Sequence, residues 1–127
     1  MIKASALAKK YQTILSNGHA QAIADVTGDK GGQGDGLRPH DLLAASLAAC
    51  ISITLRMAAD KQGFELGQTD TCVELNRDNP DSVVFEYHLT FDETLTPMQR
   101  RYLTTAVANC PVKTTLSQRI EFNAILT

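Results

Sequence analysis

Between Leu42 and Met57 the chain reads LLAASLAACISITLRM, and only Ser46, Ser52, Thr54 and Arg56 interrupt small or apolar residues. Pro39 suits a first helical turn, Asp41 places a carboxylate at the positive helix end, and Gly63 supplies a stop. The pattern predicts one long helix from about Arg38-Pro39 to Gly63. A helix with almost no polar face has to be surrounded by protein. Alanines 44, 45, 48 and 49 permit close approach by another element or a second subunit. The most apolar stretch, Leu42 to Ile53, is about 12 residues against the ~20 a bilayer requires, so it reads as a buried core helix.

The remaining elements follow from shorter patterns. Residues 11–16 and 20–26 read as two strands joined at Asn17-Gly18, a hairpin signal. The first ten residues fit strand or helix equally. Five of the eight glycines lie between Gly28 and Gly36, which reads as a mobile loop. Residues 71–77 and 83–92 alternate as strands. Phe85, Tyr87, Leu89 and Phe91 share one face, and Glu86, His88, Thr90 and Asp92 the other. Thr96, Pro97 and Gln99 open a second helix to about Ala108. Cys110-Pro111 starts a short third helix, and RIEFNAIL reads as a closing strand with Ile120, Phe122 and Ala124 alternating. Met57 and Met98 read as core. This order lacks regular βαβ alternation, so an α+β domain with antiparallel strands around a central helix is expected. At 127 residues it is expected to be a single domain, residues 1–127.

Composition narrows the function classes. Fourteen acidic against twelve basic residues leave a formal charge of −2, without the basic excess of a nucleic-acid or anionic-membrane surface. The N-terminal MIKASALAKKYQ lacks a signal-peptide apolar region. Cys50, Cys72 and Cys110 are odd in number, widely spaced and without a CxxC pair. That argues against a disulfide framework and a structural zinc site, and a reducing cytoplasm is the expected location.

The cysteines nevertheless carry the most promising chemistry. Cys50, alone, reads as a small core residue. Cys110 precedes Pro111 at a helix start, where backbone N–H groups favour a thiolate. If the two helical segments pack together, their thiols meet. A thiolate can open a peroxide O–O bond to give a sulfenic acid, which a second thiol condenses to a disulfide. Such chemistry needs two cysteines of unequal exposure and no metal. Cys72, alternating with core residues, reads as structural. Other constellations fail: GGQGDG lacks dinucleotide and P-loop spacing, no GxSxG elbow is present, and His19, His40 and His88 have no zinc-protease spacing. His40 at the helix start is a conceivable base for a Cys-His pair, against the plainer reading of a solvated loop residue.

The run Pro39-His40-Asp41-Leu42-Leu43-Ala44-Ala45-Ser46-Leu47-Ala48-Ala49-Cys50 closely resembles the P-x-E-L-L-x-A-A-L-x-x-C segment of the OsmC/Ohr family. Cys110-Pro111-Val112-Lys113-Thr114-Thr115-Leu116 resembles its second-cysteine motif, and Lys61-Gln62-Gly63-Phe64 resembles the turn after its central helix. The resemblance covers residue 28 to the end. It implies an intertwined homodimer, with antiparallel sheets wrapped around two central helices and active sites at the interface. It implies a thiol peroxidase that reduces organic hydroperoxides in oxidative-stress defence, with Cys50 peroxidatic and Cys110 resolving. No haem, flavin or metal is expected, and the reductant is an external dithiol such as a protein-bound lipoyl group.

The sequence departs from the family in one respect. Members hold the thiolate with an arginine from an N-terminal strand and a glutamate near the helix start. The early strands here have no arginine, and Asp41 fills the acidic position. Nine residues at about 100° each put Asp41 opposite Cys50 on an ideal helix, so a helix-end carboxylate is its plainer role. Arg38 is the expected substitute cation, with His40 nearer the face of Cys50. Two alternatives remain: a non-catalytic module binding a hydrophobic small molecule, and a stress-related structural dimer with passive thiols.

Overall fold

A computed structural model describes all 127 residues. Its elements in chain order are β1 (Lys3–Ala6), β2 (Thr13–Ser16), β3 (Gln21–Ala24), α1 (Pro39–Gln62), β4 (Asp70–Asn76), β5 (Val84–Thr90), α2 (Pro97–Val107) and α3 (Pro111–Leu116). The strands form two antiparallel sheets, β1-β2-β3 and β4-β5, so the class is α+β. Two compact units divide the chain, residues 1–44 and 45–127, with the boundary inside α1.

In the first unit, β2 and β3 form the expected hairpin, with Ile14 opposite Ile23. The Asn17 side-chain oxygen accepts from the N–H groups of His19 and Ala20 at 2.9 and 2.8 Å, and Gly18 takes φ 94°. The N-terminal residues, legible as either helix or strand, form β1 against β2. The glycine-rich segment differs from the expected mobile loop. Asp25, only 2% exposed, gathers it from within: its carboxylate accepts from the N–H groups of Val26, Gln33 and Asp35 at 2.7, 3.2 and 3.3 Å. A buried carboxylate is tolerated only with such partners. Gly32 is required here, because a Cβ would overlap the Val26 carbonyl.

In the second unit, Leu47, Ile51, Leu55, Ala58 and Ala59 of α1 form one core with Leu95, Leu103, Val107 and Cys110. Val73 of β4 and Phe85, Tyr87 and Leu89 of β5 pack against it, as the strand alternation requires. Ile51 is β-branched and costs a few tenths of a kcal/mol in helix propensity. Its complete burial contributes about 1.5–3 kcal/mol, so packing decides the conformation. A capping box starts α2, with the Thr96 hydroxyl accepting from the Gln99 N–H at 3.1 Å and the Gln99 side chain accepting from the Thr96 N–H at 2.8 Å. Gly63, at φ 75°, ends α1 where a stop was expected.

Four expectations need correction. On α1, Ile53 and Met57 are exposed in this chain at 55% and 67%. Met57 is therefore not core, and neither is Met98 at 73% exposure, which precedes the inward-facing positions of α2. Cys72 is exposed, because the even-numbered positions of β4 face away from the core and Cys72 pairs with His88 across the sheet. The closing strand does not form. Residues 119–127 have no regular structure, and Phe122, Ile125 and Leu126 are almost fully exposed. A strand needs a neighbour to satisfy its N–H and C=O groups, and this chain supplies none there.

Candidate functional site: two thiols between the central helix and a helix start

Cys50 lies in the middle of α1, and Cys110 caps the start of α3. The short turn Ala108–Cys110, closed by Cys110 N–H to Val107 C=O at 3.0 Å, redirects the chain between α2 and α3. Pro111 at the first helical position has no N–H, so the next amides, of Val112 and Lys113, are the free donors at this helix start. Both favour a thiolate at Cys110, and the Val112 amide also favours one at Cys50. The structure thus brings the two expected cysteines into one packed cluster, where each shifts the other's acidity.

Their surroundings differ. Cys110 is completely buried, and Cys50 is half-buried. Burial pushes the Cys50 thiol up, but hydrogen bonds from the Cys110 thiol, the Val112 N–H and the Thr54 hydroxyl together outweigh it and hold Cys50 below the ordinary thiol value. Burial also pushes Cys110 up, the bond to Cys50 adds to the rise, and the amides of Lys113 and Val112 only partly offset it. The helix start favours a thiolate at Cys110 through those amides, and burial outweighs that preference. Its two amide donors are outweighed by burial and by its position as the thiol that donates to Cys50. The pair is thus asymmetric, with Cys50 the more acidic thiol and Cys110 the less acidic.

The other singled-out residues lie in the first unit, at the start of α1. The Arg38 side chain forks onto Asp41, with Nε to Oδ2 at 3.0 Å and Nη2 to Oδ1 at 2.8 Å, and its backbone N–H donates to Oδ2 at 2.9 Å. These bonds from Arg38 hold the Asp41 carboxyl at about 2. Asp41 is therefore a helix-start carboxylate, as its angular position implied. His40 is exposed. Two contributors went unrecognised in the sequence, Thr54 and the Val112 amide. Thr54 was open to detection, because residues four apart share a helix face. The amide was not, since any residue there except proline supplies one.

The chain matches the family described as OsmC-like protein over residues 32–124. No curated protein matches it. Among solved structures it is similar to an osmotic stress induced and detoxification response protein from Psychrobacter arcticus, with a TM-score of 0.74 at 22% identity, covering 90% of this chain and 85% of that one. An OsmC-like protein from Mycoplasma pneumoniae gives 0.74 at 18% identity over 91% and 85%. An organic hydroperoxide resistance protein OsmC from Legionella pneumophila gives 0.63 at 19% identity over 92% and 88%. At these identities the structures establish a shared fold, and the family match spans both cysteine motifs. The chain belongs to the OsmC-like protein family.

Proposed function

We propose that this protein is a thiol peroxidase that reduces organic hydroperoxides with Cys50 and Cys110. The observation that carries the reading is the packing of two thiols of unequal burial in one cluster, the half-buried Cys50 the more acidic and the sealed Cys110 the less. The Cys50 thiolate attacks the distal peroxide oxygen. An S–O bond forms, the O–O bond breaks, and the leaving alkoxide takes a proton to become the alcohol. Cys110, packed in the same cluster, then attacks the Cys50 sulfenic acid. An S–S bond forms, and the hydroxyl leaves with the Cys110 proton as water. An external dithiol, for which a protein-bound lipoyl group is our candidate, reopens the disulfide by exchange. Arg38, fixed by Asp41, and neighbouring His40 are assigned supporting roles at the start of the same helix.

The proposed working form is a cytoplasmic homodimer of intertwined chains with the site at the interface. Support comes from the uncovered apolar side of α1 at Ile53 and Met57 and from the unpaired, strand-patterned segment 119–127. The Legionella relative's description as a hydroperoxide resistance protein agrees with this activity.

The test is mass spectrometry of native protein after one equivalent of cumene hydroperoxide, which is expected to yield a Cys50–Cys110 disulfide. Cys50→Ser is expected to abolish peroxide turnover, and Cys110→Ser to accumulate oxidised Cys50. Undiminished peroxide consumption by Cys50→Ser overturns the proposal. A protein stabilised by fatty acyl compounds but never oxidised by hydroperoxide is instead a binding module.

A further inference from the structure

The helix that carries Cys110 at its start, α3, is only six residues long. Helices that short do not persist on propensity, so tertiary contacts must hold this one. Cys110 is completely buried, and it stays so only while α3 lies against the core. Val112 and Leu116 pack there. The hydroxyls of α3 and its end serve the helix itself: that of Thr114 donates to the Cys110 carbonyl at 3.3 Å, and that of Ser117 to the Lys113 carbonyl at 2.7 Å. Lys113 differs. Its half-buried side chain crosses to β5, where the ammonium stands 5.5 Å from the Tyr87 ring centre and donates to the Tyr87 hydroxyl at 3.5 Å. The ion pairs of the chain join Lys9 to Asp35, Arg38 to Asp41, Arg56 to Asp60 and Arg119 to Glu121, and none includes Lys113. A lysine without a carboxylate, set over an aromatic ring, is attracted by the ring's quadrupole. Tyr87 and Cys50 both pack against the core that contains Cys110. The contact thus joins residues 26 apart in the chain and ties the short helix to a strand.

We infer that Lys113 is a positioning residue: its ammonium, seated on Tyr87, latches α3 to β5 and keeps Cys110 packed with Cys50. The inference rests on the two-thiol reading for the role of Cys110, and it names what holds that resolving thiol in place. Without the latch α3 lifts more often. Each lifting exposes Cys110 to reagents and draws it away from an oxidised Cys50.

The experiment measures iodoacetamide alkylation of Cys110 in the reduced full-length protein, read by peptide mass spectrometry beside Cys50 and Cys72. A sealed thiol is alkylated through the open population of its segment. Lys113→Met keeps an apolar stem, removes the charge and leaves the backbone amide in place. It is expected to speed Cys110 alkylation about threefold or more, as for loss of a partly desolvated cation–ring contact, with the exposed Cys72 unchanged. Lys113→Arg is expected to restore the parent rate, because a guanidinium also stacks on aromatic faces. Tyr87→Phe keeps the ring and is expected to stay near the parent, whereas Tyr87→Leu is expected to match Lys113→Met. Combined, Lys113→Met and Tyr87→Leu are expected to do no more than either alone, as for two partners in one contact. If Tyr87→Leu fails to fold, the two Lys113 variants decide by themselves. Hydrogen exchange in Lys113→Met is expected to quicken at the α3 amides. A parental alkylation rate in Lys113→Met, Arg behaving as Met, full additivity in the double variant, or exchange quickened equally throughout α1 overturns the inference. Alkylation needs no peroxide, so the expected pattern in a protein that consumes no hydroperoxide refutes the proposed activity and leaves the latch standing. A parental rate in a protein that forms the Cys50–Cys110 disulfide refutes the latch alone.

Discussion

A thiol at its ordinary pKa is largely protonated near neutrality, and it reacts only where its surroundings hold the anion. Cys50 and Cys110 are identical side chains whose order of acidity is set by who donates to whom. Cys50 collects three donors against the cost of burial, while Cys110 pays a larger burial cost and gives its own proton to its neighbour. Cys110→Ala removes one of those donors, which raises the Cys50 pKa and lowers its thiolate fraction below neutrality. Roughly tenfold slower iodoacetamide labelling of Cys50 near pH 6 is expected, as for loss of a hydrogen bond to a charged group. An unchanged labelling rate means that the Cys110 thiol does not support the anion. The cysteines themselves were plain in the sequence. The resemblance implied Cys50 as the peroxidatic one, but the physical supports of that role, the Val112 amide and the partner thiol, approach Cys50 only after the chain has turned at Pro111.

At the scale of elements, turns are held by single carboxylates. The Asp92 carboxyl accepts from the Thr94 hydroxyl and N–H at 2.6 and 2.9 Å and from the Gln68 N–H at 2.7 Å. The Thr94 bonds, then the Gln68 bond, hold it at about 2 against an ordinary 3.8. The unfolded chain therefore takes up this proton first as pH falls. Stability contributed by Asp92 is complete above about pH 4 and drains away toward pH 2. Asp92→Asn is expected to weaken the protein at neutrality and flatten its acid loss, measured as urea midpoints from neutral to strongly acidic pH. Asp41, also held at about 2, and Asp25 and Asp29, both lowered, retain the remaining acid dependence. A midpoint-against-pH slope identical to the parent's refutes this assignment. Element positions were legible because their signals are local: Gly63 as a stop, the Thr96-Gln99 capping box, and alternation through Val73, Leu75, Phe85, Tyr87 and Leu89. The segment 119–127 misled for the opposite reason, since a strand's hydrogen bonds belong to its neighbour.

For the whole molecule, apolar surface is the informative residue of the fold. Ile53 and Met57 on α1, and Phe122, Ile125 and Leu126 beyond α3, are among the large hydrophobic side chains that this chain leaves exposed. Exposed apolar surface of this extent marks an interaction site, and a second copy is the occupant proposed above. Sedimentation is expected to give a dimer. Ile53→Asp is expected to shift it to monomer, as is truncation after Arg119, which removes the strand-patterned tail. A parent protein that sediments as a monomer at micromolar concentration overturns the proposed assembly.

By itself the amino-acid sequence determined the long apolar helix and its ends, the two-strand alternation, the capping box and the two cysteine motifs. All are patterns read over a few neighbouring residues, where propensity, periodicity and capping act. Tertiary structure alone decided what depends on distant residues coming together. It buried Asp25 and so tied down the glycine-rich loop, turned Cys72 and Met98 outward, and left residues 119–127 without a strand to pair with. It also set Cys50 against the Cys110 thiol and the Val112 amide, because hydrogen bonding and burial follow proximity in space and not in the chain.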